Sequence, residues 1–135
     1  MKVLCKKIYN STTGEDMGSH DSWRLASKEY IVLMMSYSKH NGIYITFQTE
    51  NYGDPARFHL KGFEFISDYI PSSWITDVEI GSDGTKYINM LPASWNYESF
   101  FDDLEDEEEI AMKLFHEEAQ KIYEEEECYK ASLKK

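Results

Sequence analysis

The sequence holds few residues placed for chemistry, and the sharpest group is His116-Glu117-Glu118-Ala119-Gln120. It follows the zinc-protease pattern H-E-x-x-H up to its last position, where the metal needs a second imidazole one helical turn on. Gln120 stands there instead, and an amide is a poor zinc ligand, so the expectation is a surface histidine on an acidic helix. Gly81-Ser82-Asp83-Gly84-Thr85-Lys86 has the residue types of a phosphate loop in the wrong order, with lysine after the hydroxyl and no helix following, and it reads as a hairpin turn. Asp77 and Glu79 share one face of an alternating segment, where paired carboxylates can bind a metal or act as acid and base. Polar residues on the outer face of an amphipathic strand account for them more simply. Cys5 and Cys128 match no zinc or redox spacing, no nucleophile-elbow pattern accompanies either, and both read as small hydrophobes. A thiol–imidazole pair of Cys5 with His59 or His116 has no local pattern behind it. No catalytic residue, cofactor or metal site is assigned on this basis.

What the chain does concentrate is charge. The formal charge is −11 over 135 residues. Thirteen acids lie between Asp102 and Glu127 against only Lys113 and Lys121, so that segment alone carries −11 and the remainder balances twelve acids with twelve bases. Negative potential gathered on one element speeds encounter with basic partners and repels nucleic acid phosphate. Direct DNA or RNA binding is therefore not expected. The acids come in blocks, Glu107 to Glu109 and Glu124 to Glu127, with little lysine at i+4 to offset their repulsion, which argues for a role beyond solubility. No apolar run reaches the roughly 18 residues of a membrane span and the first residues lack a secretory pattern, so a cytoplasmic protein without membrane contact is expected.

The elements that must carry these residues form a single α+β domain over residues 1–135: an N-terminal strand and loop (1–27), an antiparallel sheet of four to six strands (28–91) and a helical part (92–131). Val3 to Tyr9 is a candidate strand, and Tyr30 to Met35 reads as one central strand covered on both faces. Ile43, Ile45 and Phe47 alternate with polar or amphipathic residues after Asn41-Gly42, which predicts a hairpin. Arg57 to Leu60 and Phe63 to Ile66 are short extended segments. Trp74 to Ile80 and the run through Ile88 and Met90 form a second hairpin, with Trp74, Thr76, Val78 and Ile80 on one face and Asp77 and Glu79 on the outer one. Pro92 suits a first helical turn, Trp95 to Leu104 reads as one short helix, and a long helix is expected from an N-cap at Asp106. Its buried stripe would be Ala111, Leu114, Phe115, Ala119 and Ile122, with the glutamates turned to water.

The string Phe63-Glu64-Phe65-Ile66-Ser67-Asp68-Tyr69-Ile70-Pro71-Ser72-Ser73-Trp74, then Pro92, Trp95 and Phe100-Phe101 ahead of an acidic helix, resembles small immunity proteins of bacterial polymorphic toxin and contact-dependent growth inhibition systems. The resemblance covers approximately residues 28 to 127. It implies a cytosolic, non-enzymatic protein that covers the active site of a cognate toxin domain, a basic one if the toxin is a nuclease. The expected partner contacts are Asp102, Asp103, Glu105, Asp106, Glu107, Glu108 and Glu109, with Asp77 and Glu79 as a second set. Two other classes stay open: an acidic adaptor or regulatory protein for another basic protein, and a small-molecule enzyme with a carboxylate-lined pocket in the sheet.

Overall fold

The computed structural model describes residues 1–6, 28–49 and 54–133. Eight strands lie among them: β1 (Lys2–Cys5), β2 (Glu29–Ile31), β3 (Met34–Ser38), β4 (Gly42–Gln48), β5 (Pro55–His59), β6 (Phe63–Ser67), β7 (Trp74–Ile80) and β8 (Lys86–Pro92). A single 3-10 turn (Ala93–Trp95) leads to helix α1 (Phe100–Glu105) and helix α2 (Glu109–Leu133). This is the expected α+β domain with a short and a long helix. The strands divide between two antiparallel sheets, β2-β1-β6 and β5-β4-β3-β8-β7. The expected N-terminal strand and loop lie outside the described residues beyond Lys6, up to residue 27, as do residues 50–53.

The apolar run Tyr30 to Met35 is not one strand. It ends β2 in the smaller sheet and begins β3 in the larger, with Val32 and Leu33 fully buried at the crossing. The run is continuous because its residues serve two cores. Val32 joins Val3, Cys5, Tyr30, Ile45 and Phe47 between the sheets, where Tyr30 stacks on Phe47 at 4.3 Å. Leu33 joins Leu91, Trp95, Phe100 and the helix stripe. Trp74 touches both cores and its indole Nε1 donates to Leu33 O at 3.0 Å, so it clamps the crossing.

The first hairpin forms as the Asn-Gly signal predicts, with Ser38 opposite Gly42 and Gly42 at φ 77°. Asn41 does not share the positive φ; its N–H donates to Ser38 Oγ at 3.2 Å, giving a three-residue loop closed by a left-handed glycine. The β7–β8 hairpin closes with Gly84 at φ 84° and with Asp83 Oδ1 accepting the Thr85 N–H at 2.9 Å. That amide bond, with the Thr85 hydroxyl, holds the Asp83 carboxyl below the usual range.

The helical part differs from expectation at its joints. Pro92 ends β8, only Ala93–Trp95 turn as a 3-10 helix, and α1 starts at Phe100. Asp106 caps the C-terminus of α1 through bonds from its N–H to Asp102 O and Leu104 O. Glu107 takes φ 58°, in the left-handed region that stops a helix, and α2 begins two residues later with Met112 N–H on Glu108 O. Trp95 explains the break: it is 1% exposed, stacks on Phe100 and Phe115 at 5.5 and 5.1 Å, and its Nε1 donates to Leu114 O. A continuous helix from Trp95 would carry that ring away from α2. The stripe of α2 is as predicted at Ala111, Phe115, Ala119 and Ile122, and Leu114 is partly buried.

Candidate binding surfaces

Register pairs put Asp77, Asn89, Ser36, Tyr44 and His59 in one row on one face of the larger sheet, with Glu79 and Tyr87 in the next row. The smaller sheet covers only the opposite face, chiefly over Ile45, Phe47 and Phe58. The polar rows are left as the floor of a groove of ≈ 900 Å3, walled at one end by Trp95, Asn96, Tyr97, Glu98 and Phe101 and on the far side by Pro55 and Arg57. Asp77 is half-buried in this floor rather than on an outer face. The four expected inward residues divide differently: Trp74 is packed, but Val78 and Ile80 are two-thirds exposed, because the inter-sheet core reaches only the Trp74 end of β7. The alternation of β7 was legible while its direction was not.

A hydrogen-bond chain orders the floor. Ser36 Oγ donates to Asn89 Oδ1 at 2.7 Å, and Asn89 Nδ2 donates to Glu79 Oε2 at 3.3 Å. Asn89 is buried, so both of its amide ends are occupied as burial requires. Across the groove the Arg57 guanidinium carbon sits 4.2 Å from the centre of the Tyr44 ring. The groove thus sets carboxylates on one side and a guanidinium on the other. Ser36, Arg57, Asn89 and Tyr97 were not singled out from the sequence; the signal available was a polar residue at Ser36 and Asn89 inside otherwise apolar strands.

The acidic segment separates into two populations. Asp102, Glu105, Asp106, Glu107, Glu108 and Glu109 are exposed, and Asp103 is half-buried with Ser99 Oγ donating to its Oδ2 at 3.1 Å. Phe101 lines the groove, and Glu105, four residues on in the same helix, shares its face. Asp77 and Glu79 of the second set line the groove itself, whereas none of the first set does.

The second block behaves otherwise, against the expectation that the glutamates face water. Glu126 continues the buried stripe of α2, is 2% exposed, and accepts the Met1 α-ammonium at 2.9 Å. Glu125 accepts from the Tyr69 hydroxyl at 2.8 Å and from the Ser72 N–H and hydroxyl at 2.9 and 2.8 Å. Burial pushes the Glu125 carboxyl up, but these bonds and the nearby α-ammonium outweigh it and hold the group below the ordinary glutamate value. Tyr129 stacks on Tyr69 and donates to Asp68 Oδ1 at 3.0 Å. Together these contacts dock the C-terminal half of α2 on the Asp68–Ser72 segment.

His116 is exposed on α2, and the described residues hold no cluster of three or more metal-ligating side chains. His59 Nδ1 accepts the Lys61 N–H at 3.0 Å, which leaves Nε2 to donate to Asn41 O at 2.9 Å. Cys5 lies in the inter-sheet core with its thiol pushed up by burial, whereas Cys128 is exposed on α2 and is no core residue. Among the described residues no helix is long and apolar enough to cross a membrane. No protein family, curated protein or solved structure matches the chain.

Proposed function

We propose that the protein is a cytoplasmic inhibitor that docks on a basic partner domain and occludes it, the partner being the cognate toxin that the resemblance to immunity proteins implies. The observation that supports this most is the charge geometry. The exposed carboxylates of Asp102, Glu105, Asp106, Glu107, Glu108 and Glu109 follow Phe101 of the groove wall along the chain, and the groove floor presents Asp77 and Glu79. A cationic active-site cleft would meet the negative potential of these carboxylates, which speeds encounter, while aromatic side chains at the groove wall, Tyr97 and Phe101, supply the area that slows release. The same field disfavours phosphate backbones as direct ligands.

The test is co-expression with the product of the adjacent upstream gene. Rescue of growth and a co-purifying complex are the expected results; a neighbour that is neither toxic nor bound removes the toxin from the reading. In a purified complex, replacing Glu107, Glu108 and Glu109 by Gln should slow association about tenfold at low salt and flatten its salt dependence. An unchanged rate would take this block out of the interface.

The groove itself favours a second reading, binding of a small ligand. Its volume lies in the range of small-molecule sites, and Arg57 facing Asp77 and Glu79 suits a molecule that carries both charges. Protection of groove-lining amides by such ligands, with none by a basic protein, would favour it.

A further inference from the structure

Strand β7 is the terminal strand of the five-stranded sheet and, at seven residues, matches β4 and β8 as the longest in the chain's described part. Which of its main-chain groups face outward follows from two bonds that bracket its ladder with β8. Gly81 N–H donates to Thr85 O at 2.7 Å beyond one end, and Ala93 N–H donates to Ser73 O at 3.1 Å beyond the other. Both continue the register that pairs Trp74 with Pro92 and Ile80 with Lys86. Bonded pairs alternate along an antiparallel ladder, so Ile75, Asp77 and Glu79 bond toward β8. The N–H and C=O groups of Thr76, Val78 and Ile80 point out of the sheet at its edge, where no strand among the described residues pairs with them.

The side chains divide by the same parity. Thr76, Val78 and Ile80 lie on the face that the smaller sheet leaves open, beside Ile88 and Tyr37 in the Val78 row, and all are exposed. Asp77 and Glu79 lie on the groove face. The edge carries none of the lysines or prolines that usually block strand addition. Nor does it suit a second copy: paired antiparallel over its full length, it would set Asp77 opposite Asp77, and like charges directly opposed are destabilising.

We infer that β7 accepts an extended segment of the basic partner as a sixth, antiparallel strand, with apolar side chains beside Thr76, Val78 and Ile80 and lysine or arginine over Asp77 and Glu79. This rests on the docking reading above and names the segment that would enter. Antiparallel pairing is the more stable geometry per residue. It makes a specific demand. The incoming residues directly opposite Thr76, Val78 and Ile80 are the apolar ones, and it is their amides, not those of the basic residues, that must donate to the edge.

The probe is a short end-blocked peptide of alternating valine and lysine, titrated into the full chain while β7 amide shifts are followed by NMR. The parent peptide should bind with shifts centred on Thr76, Val78 and Ile80. N-methylation at the valines should weaken it at least about tenfold, and N-methylation at the lysines less than about twofold, because only the former removes donors to the edge. Asp77→Asn with Glu79→Gln should weaken the parent peptide and reduce its salt dependence. Because the parity test alters only the peptide, it does not depend on any variant folding. Absence of binding, equal loss from both methylation patterns, or protection of the edge by self-association of the protein would each overturn strand addition. If binding instead vanished with the Glu107 to Glu109 glutamines and ignored methylation, electrostatic docking would stand without the added strand. A parity effect in a protein that protects against no toxin would leave the strand and remove the toxin.

Discussion

Glu126 shows how a single residue in a charged run can belong to the core. The stripe Ala111, Phe115, Ala119, Ile122 reaches it at the next helical step, and the Met1 ammonium satisfies it there. Removing one member of a buried ion pair leaves the other uncompensated, so Glu126→Ala should cost about 3 kcal/mol in urea unfolding, while Glu127→Ala, one step round the helix and exposed, should stay within about 0.5 kcal/mol. Glu125 gives a pH signature. Its folded pKa lies below the unfolded one, so its stabilisation is complete above the unfolded value of about 4.3 and is lost as pH falls through the lower folded value. Glu125→Gln should therefore flatten the acid limb of the stability profile measured by thermal melts, and leave its slope near neutrality unchanged. Tyr123, pushed up to about 12 by burial and donating to Gln48 Oε1, should stay protonated when exposed tyrosines ionise. Tyrosinate absorbance with and without Tyr123→Phe checks that.

At the scale of elements, the joint between the helices is the most constrained feature. Glu107 holds a left-handed backbone that glycine accepts freely and that a β-branched residue resists. Glu107→Gly should be neutral or slightly stabilising, whereas Glu107→Val should cost about 1 kcal/mol or more; calorimetry of the pair distinguishes a backbone effect from loss of charge. Hairpins were legible because turn chemistry is local: Asn41-Gly42 and Asp83-Gly84 name their own loops. The stripe of α2 was legible because its period is local too. What could not be read was anything decided by which surface lies opposite. Val78 and Ile80 alternate like core residues but sit beyond the reach of the smaller sheet. Glu126 looks solvated until the amino end arrives beneath it. Tyr30 to Met35 looks like one strand because the sequence does not mark where one sheet hands over to the other. The acidic candidates Asp102 to Glu109 were legible as charge, whereas the groove, with Ser36, Arg57 and Asn89, exists only once five strands are in register.

Over the whole molecule, the net acidity belongs to the helical part. Four of the thirteen acids between Asp102 and Glu127 are at least half-buried, and the rest repel one another across α1, α2 and the turn between them. Screening should relieve this: raising salt from about 0.01 to 0.15 M shortens the Debye length from about 30 to 8 Å, so the melting temperature should rise with ionic strength and fall back on returning to low salt. On the docking reading proposed above, a bound basic domain would supply the same relief without salt and raise the melting temperature.

The handover at Val32 and Leu33 has a consequence for how the molecule comes apart. Neighbouring residues are anchored in separate cores, and one peptide bond lies between them. Loosening either layer drags on the other through a link too short to stretch. Deuterium uptake should accordingly report a single concerted opening for β1, β4 and the middle of α2, with matching protection and matching response to denaturant, and no separately melting sandwich or helical lobe.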